Sequence, residues 1–391
     1  MLQRELENKL SELIKSYPVI ALTGPRQSGK TTLVKQLFSK THKYVNLENL
    51  EQRSFAQNDP KAFLQQNSSP LIIDEAQYVP DLFSYIQILS DEKKLPGQFI
   101  LTGSQNFLLL EKISQSLAGR VAIFHLLPFS LKELKEAHYD LPSLEDLLFM
   151  GFYPRIYDLK LEPKEWYSNY IQTYTERDVR TLKNIQDLGT FQVFLKMCAS
   201  RTGQLLDLTS IGNDCGISHN TVKEWINILE ASFIIFLLRP HYNNLGKRLI
   251  KSPKIYFYDS GLLCHLLGIE NPRQINTHFL RGGIFESFIL SELIKNRINQ
   301  KKSPNLYFWR DQHGHEIDCL IENSSLLTPI EVKSSKTLNS DFFEGLNYWN
   351  KLAKNIPENT FLIYGGNENQ IRRHGQIISW KNLDKIPSKI I

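Results

Sequence analysis

Cysteine is scarce in this chain: Cys198, Cys215, Cys264 and Cys319 are the only four in 391 residues, and no two stand at CxxC spacing. They offer neither a disulfide framework nor a cysteine zinc site, and read as isolated thiols of a reducing compartment. Long apolar runs are missing too. Phe233–Leu238 is typical of the longest, far below the roughly 20 residues of a membrane-spanning helix. The opening MLQRELENKL is charged and has no apolar stretch of the kind a secretory signal carries. Tandem repeats and low-complexity tracts are absent. The expectation is a cytoplasmic protein with no membrane partner. Strong charge of one sign is lacking as well. The 46 basic and 41 acidic residues leave a net +5, too mild to argue for nucleic acid. Only residues 239–310 stand out, with twelve Lys and Arg against four Asp and Glu. Such a stretch can meet phosphates, but more often it is a solvated face.

What is present suits a folded protein: 41% hydrophobic and 22% charged residues supply a core. The length predicts two to four domains. Leu2, Leu6, Leu10, Leu13 and Ile14 recur at helical spacing and predict a lead-in helix closed by Pro18. Apolar runs at Val19–Thr23, Lys43–Leu47, Pro70–Asp74, Gln98–Thr102 and Val121–Leu126 then alternate with helical patterns. Alternation of this kind predicts an α/β unit on a parallel sheet, with Pro70–Asp74 central. That unit closes near Ala137. Residues 140–205 read as helical, and 206–260 as a helix-turn-helix followed by two strands. Mixed α/β patterns return from 275. Helices are expected at Phe285–Ile298 and Ser340–Lys354, and strands at Leu306–Arg310, Glu316–Glu322, Thr328–Val332 and Thr360–Tyr364, with Asn299–Pro304 as a basic connector. The expected domains are 1–137, 138–205, 206–270 and 271–391.

Gly24–Thr31 reads GPRQSGKT, a complete GxxxxGK[ST] motif between a strand and a helix. Such a loop closes backbone N–H groups around phosphates, and the helix N-terminus adds partial positive charge. Gly24, Pro25, Arg26, Gln27, Ser28, Gly29, Lys30, Thr31 and Thr32 are the candidate nucleotide contacts. Lys30 would reach the β and γ phosphates of ATP, and Thr31 would ligate Mg²⁺. The run Leu71–Glu75 delivers two carboxylates to a strand end, where ligands bind in parallel sheets. Asp74 is the candidate for holding Mg²⁺ through water, and Glu75 for polarising the attacking water. In Leu101–Gln105, Thr102 and Ser104 are both candidates for sensing the γ-phosphate. Arg120, in Leu117–Arg120, is a candidate for stabilising transition-state charge, in cis or in a neighbouring subunit.

These segments resemble the bacterial and archaeal AAA-family (AAA+) ATPases that carry a C-terminal domain of unknown function with a nuclease-like fold. The likeness covers nearly the whole chain. It includes GPRQSGKTTL at 24–33, IIDEAQ at 72–77, LTGSQ at 101–105 and LAGR at 117–120. It continues through ERDVR at 176–180, KSPKIYFYDSGL at 251–262 and the segment around EIDCLIE. The resemblance implies AAA+ architecture, use of ATP and Mg²⁺, and assembly into a homo-oligomeric ring. It implies no particular biological task.

In the middle, a helix ending near Asn213, a turn at Gly216 and a second helix capped by Ser218 form a helix-turn-helix pattern, with Val222, Ile226 and Leu229 inward. Ile234–Leu238 and Lys254–Tyr258 would be the hairpin of a winged helix. The second helix carries Glu224 and Glu230 beside Lys223, poor chemistry for a groove lined with phosphates. Asn220 and Thr221 suit base edges and an ordinary helix start equally. Lys247, Arg248, Lys251 and Lys254 are the better backbone contacts, so any DNA binding would not be sequence-specific.

Further on, His315–Glu322 alternates at strand period and puts Glu316 and Asp318 on one face. After the turn Asn323–Ser325, Glu331 and Lys333 share a face of the next strand. Glu286, on the preceding helix, adds a carboxylate. Asp318, Glu331 and Lys333 follow the Asp…Glu-x-Lys pattern of the PD-(D/E)xK nuclease superfamily. Likeness to it implies a restriction-endonuclease-like α/β domain, with Glu286, Asp318 and Glu331 on Mg²⁺ and Lys333 positioning the attacking water. His313 and His315 suit a turn better than a hard metal. Two functions stay open: an ATP-driven enzyme acting on DNA, and a regulatory nucleotide switch whose C-terminal domain only binds a partner.

Overall fold

In the computed structural model, residues 2–104, 113, 115–175, 185, 187–241, 251–324, 326–388, 390 and 391 are described. Gln105, the segment 176–180, Lys247, Arg248 and Ser325 from the readings above lie outside them.

The five expected runs are strands: β1 (Val19–Thr23), β2 (Lys43–Asn46), β3 (Leu71–Asp74), β4 (Phe99–Gly103) and β5 (Val121–His125). They form one all-parallel sheet in the order β2-β3-β4-β1-β5. β1, β3 and β4 are buried along their whole length, as strands covered on both faces must be. Alternate side chains serve opposite layers. Ile20, Leu22, Ile72 and Ile100 pack with Leu6, Leu10, Leu33 and Val34 of helices Leu6–Leu13 and Lys30–Phe38. Val19, Ala21, Ile73 and Leu101 pack with Phe63 of helix Pro60–Gln66 and with Phe83 and Ile86 of helix Leu82–Lys93. Each such fully buried Leu or Ile contributes roughly 1.5–3 kcal/mol. Because β1 lies between β4 and β5, the chain leaves β1 at a crevice on the carboxyl rim, and the Gly24–Thr31 loop opens there.

The expected helical stretch holds helices Leu144–Met150, Pro154–Leu159, Pro163–Thr173 and Leu188–Ser200. Helices Leu208–Cys215 and His219–Ala231 follow, with Gly216 left-handed at φ 68° between them. Ser218 caps the second by accepting from Thr221 N, and Val222, Ile226 and Leu229 point inward.

Eight strands form a second, mixed sheet in the order β12-β13-β11-β10-β9-β8-β6-β7. They are β6 (Ile235–Pro240), β7 (Lys254–Phe257), β8 (Leu306–Arg310), β9 (Glu316–Asn323), β10 (Leu326–Lys333), β11 (Phe361–Tyr364), β12 (Gln370–Arg372) and β13 (Gly375–Ser379). Two expectations are corrected here. The hairpin β6–β7 exists, with Ile235 opposite Phe257, but β6 also pairs in parallel with β8 through Arg239 and Pro240. The pair is therefore part of the C-terminal sheet and not a projecting wing. In β9 the strict alternation breaks. Tyr307 faces Leu320 and Trp309 faces Ile317, so Asp318 and Cys319 share one position opposite β8. This bulge re-aims Asp318 without moving Glu316 to the other face.

The long helix Arg281–Asn299 covers one side of this sheet, with Phe285, Phe288 and Ile289 against Cys319, Ile330 and Ile363. Helix Glu344–Ala353 covers the other, with Leu346 and Trp349 against Trp309, Leu320 and Leu362. One continuous apolar cluster runs from Phe129 through the middle helices to Ile391.

Candidate functional sites

The phosphate loop is shaped by two glycines. Gly24 has φ 145°, and a Cβ there would stand 2.2 Å from the Leu126 carbonyl oxygen. Gly29, at φ 94°, starts helix Lys30–Phe38. Lys30 is 7% exposed, and its Nζ donates to the carbonyls of Gly24 (2.9 Å) and Pro25 (2.7 Å). Its ammonium thus lies in the mouth of the loop where a phosphate would stand.

Asp74 collects three hydroxyls. Thr31 donates at 2.9 Å and Tyr44 at 2.7 Å, both to Oδ2, and Thr102 donates to Oδ1. Burial, and then the bond to Asp74, pushes the Tyr44 phenol far up, so it stays a donor. Glu75 stands at φ 55°, a left-handed conformation uncommon for a residue with a side chain. Its Oε2 accepts from Gln77 Nε2 (2.5 Å) and Ser104 Oγ (3.1 Å). The two candidates Thr102 and Ser104 therefore part company. Ser104 meets Glu75 and lines the cleft, whereas Thr102 is fully buried against Asp74.

Arg26, Gln27, Gly29, Lys30, Thr31, Thr32, Glu75 and Ser104 line a cleft of about 660 Å³. Three residues that the sequence did not single out share it: Glu48, Arg155 and Thr173. The last two come from helices Pro154–Leu159 and Pro163–Thr173. An exposed arginine directly after a helix-opening proline was the available signal for Arg155. Arg4 was missed too. It is 7% exposed and forks from Glu133 Oε1 (2.9 Å) to the carbonyls of Ser28 (2.8 Å) and Leu127 (2.6 Å). It therefore ties the lead-in segment to the phosphate loop and to the chain leaving β5. Arg120 stands elsewhere. Its carbonyl accepts from Val19 N at the amino end of β1, and its guanidinium pairs with Asp91 at 2.5 and 2.9 Å. A five-residue strand at ~3.3 Å per residue separates that rim from the loop, which removes a cis role in this conformation.

At the second site Asp318, Glu331 and Lys333 do meet. Lys333 Nζ lies 2.5 Å from Glu331 Oε1 and 3.9 Å from Asp318 Oδ2, and Asp318 Oδ2 accepts from Val332 N at 2.8 Å. Burial, and then the charge of Asp318, pushes Glu331 up to about 8 and Glu286 up to about 7. Glu286 accepts from the Tyr256 hydroxyl and lies 3.7 Å from Lys254 Nζ, which also contacts Glu316. Burial pulls Lys254 down, but the charges of Glu286, Asp318 and Glu316 outweigh it and hold the ammonium protonated. Lys254, expected to face a DNA backbone, is instead 5% exposed inside this cluster. His315 pairs with Asp311 at 2.9 Å and stacks on Tyr348 in the β8–β9 turn, the structural role expected of it.

The donor chemistry suits a hard divalent cation. Glu331 is 8% exposed, and its Oε2 has no hydrogen-bond partner. Even so, no three such side chains stand close enough among the described residues to hold a metal as placed. Nor is any described helix long and apolar enough to cross a membrane.

The parallel sheet, the phosphate loop and the Asp74–Glu75 strand end define the N-terminal third of the chain as a P-loop domain of the AAA type. Residues 16–135 match the family described as "AAA domain". Residues 141–273 match a domain of unknown function, DUF8612, and 281–383 another, DUF4143. An uncharacterized protein of Mycobacterium tuberculosis is 31% identical over 338 residues, 86% of this chain and 74% of that protein. One of Haemophilus influenzae is 24% identical over 322 residues, 74% of this chain and 78% of that protein. The chain belongs to the same family as the mycobacterial protein. Among solved structures, a Walker-type ATPase of Pyrococcus abyssi is similar at 16% identity and TM-score 0.44, covering 68% of this chain and 96% of that one. The Thermotoga maritima RuvB Holliday junction branch migration motor is similar at 20% and 0.32, covering 61% and 90%.

Proposed function

We propose that this protein binds and hydrolyses Mg²⁺–ATP and uses the cycle to act on DNA, without reading its sequence, through a metal-dependent C-terminal site. The carrying observation is the convergence of Lys30, Thr31, Glu75 and Ser104 on one cleft, with Asp74 held directly behind Thr31. Lys30 would exchange two loop carbonyls for phosphate oxygens. Thr31 and Asp74 would hold Mg²⁺, which when bound supplies charge neutralisation at the β and γ phosphates. Glu75 would orient the attacking water, and Ser104 would sense the γ-phosphate. Arg120, on the opposite rim, would serve the site of a neighbouring copy in a ring. Segments 1–137, 138–205, 206–270 and 271–391 are read as ATPase, helical, helix-turn-helix and nuclease-like segments of a cytoplasmic protein, with β6 and β7 of the third completing the sheet of the fourth.

At the C-terminus Glu286, Asp318 and Glu331 would hold Mg²⁺, which when bound supplies an activated water and a clamp on the scissile phosphate. Lys333 would steady the developing charge. The unpartnered oxygen of Glu331 supports this reading. The lysines already seated on Glu286, Glu316 and Glu331 favour the other one, a nucleotide switch whose C-terminal domain binds without cutting.

One experiment separates them: Mg²⁺-dependent cleavage of linear and branched DNA, with and without ATP, by wild type, Asp318→Ala and Lys333→Ala. Cutting lost in both variants supports the enzyme, and intact DNA throughout leaves the switch. In parallel, Lys30→Ala should abolish ATP turnover, and Glu75→Gln should bind ATP but stall. Normal hydrolysis by either variant overturns the ATP-site assignment.

A further inference from the structure

The C-terminal carboxylates are gripped from an unexpected direction. β7 lies at the far edge of the eight-stranded sheet, beyond β6 and β8. It nonetheless supplies both partners of Glu286: the Tyr256 hydroxyl and, at 3.7 Å, the Lys254 ammonium. These two residues stand two apart on one strand and so share a face. Lys254 also contacts Glu316, which Arg310 meets from the solvent side at 3.5 Å. Across the cluster, Lys333 holds one oxygen of Glu331, and the other oxygen, on a residue 8% exposed, has no partner. The glutamate on the long helix is thus pulled toward β7, while Asp318 and Glu331 keep one open acceptor.

We propose that Lys254 is a built-in cation that competes with a divalent metal for Glu286, so that metal loads onto Glu286, Asp318 and Glu331 only as Lys254 gives Glu286 up. This rests on the proposed reading of these carboxylates as a metal site. Both cations seek the same half-buried carboxylate. A compact ammonium on a flexible stem can withdraw to Glu316, which already holds it. The strand pairing that brings Lys254 here also makes the segment ahead of the long helix part of the site.

The probe is Mn²⁺ alone, followed by isothermal titration and by the spin-resonance signal of free Mn²⁺. The full-length chain carries Asp74→Asn to silence the phosphate-loop site. Lys254→Met removes the competitor and should tighten Mn²⁺ binding by roughly tenfold or more, the size of an outer-partner effect on a metal site. Glu316→Gln removes the refuge and leaves Lys254 on Glu286, so it should weaken binding. These opposite signs guard against a variant that is merely unstable, because misfolding loosens the site in both. Binding unchanged or weakened in a folded Lys254→Met chain, with Glu331→Gln abolishing it, overturns the competition while leaving the metal site standing. No saturable Mn²⁺ in wild type or in any variant sinks the metal reading itself. Binding seen only in Lys254→Met supports the competition most directly.

Discussion

Arg4 is a buried charge that ties the lead-in segment to the phosphate loop. Its guanidinium makes three bonds, to Glu133 Oε1 and to the carbonyls of Ser28 and Leu127, and it lies 5.0 Å from the Phe129 ring centre. Replacing it by methionine keeps the stem and removes every donor. Breaking a buried ion pair by deleting one partner costs about 3–5 kcal/mol. Glu133 softens this, since it still accepts from Glu5 N at 2.9 Å and Ser130 N at 2.8 Å. Two buried carbonyls lose their donors, each worth about 1–3 kcal/mol. With the ion-pair term offset by those two donors, the carbonyls dominate, and the expected loss for Arg4→Met is about 4 kcal/mol. Tryptophan fluorescence is the weaker probe, because no tryptophan lies within residues 1–137. Urea unfolding followed by far-ultraviolet circular dichroism is the suitable assay, with nucleotide affinity measured alongside because Ser28 belongs to the phosphate loop. Arg4→Lys should rescue little, since one ammonium cannot fork to three fixed acceptors. Arg4→Met with Glu133→Gln should lose less than the sum of the two. A loss below about 1 kcal/mol, or full rescue by lysine, would refute the assignment of Arg4 as a buried clamp.

Gly24→Ala should abolish nucleotide binding, because its Cβ would overlap the Leu126 carbonyl; a fluorescent ATP analogue titrated against the variant reads this, and ordinary affinity contradicts it. His125 is half-buried beside Thr23, and loss of solvent around its ring lowers it from 6.5 to about 4, so the folded state stays unprotonated where the unfolded state takes up a proton. Stability from this group is full above pH 6.5 and falls as pH drops toward 4, by roughly 3 kcal/mol; His125→Gln should flatten that acid limb, and an unchanged pH profile of urea midpoints speaks against it. Residues 271–391 alone should not fold, since β6 and β7 complete their sheet, whereas 129–391 should. Cooperative unfolding of the shorter piece would show that the two strands are dispensable.

The first site was legible because its chemistry is local. The phosphate loop needs consecutive residues, and the Asp74–Glu75 pair needs only a buried strand that ends in carboxylates. Asp318, Glu331 and Lys333 were legible for a related reason: residues two apart on neighbouring strands must share a face. The β9 bulge was not legible, because it depends on how β8 is paired and not on β9 alone. β12 and β13 escaped notice because Gln370–Arg372 is short and its one apolar residue, Ile371, is 87% exposed. β12 thus had no inward face for periodicity to find, and in β13 the adjacent Ile377 and Ile378 are both buried, so no alternation marks it.

Arg4 and Lys254 were hidden for one shared reason, and it concerns charge. An arginine in a charged amphipathic segment, or a lysine in a basic stretch, reads as solvated because most are. Burial turns each into a determinant of the fold, and the partners that permit burial are remote in sequence: Glu133 for Arg4, and Glu286 and Glu316 for Lys254. The stretch 239–310 illustrates the point. Its positive excess invited a nucleic-acid surface, yet Lys254, Lys295 and Arg297 within it are all nearly inaccessible. Lys295 holds the Phe129 carbonyl and Glu292, and Arg297 holds Ile390 and Asn323. Three of its twelve cations therefore face inward, and two of them, Lys295 and Arg297, lie on the helix that also carries Glu286. A basic run in a sequence counts charges, and only the pairing of strands decides which of them meet water.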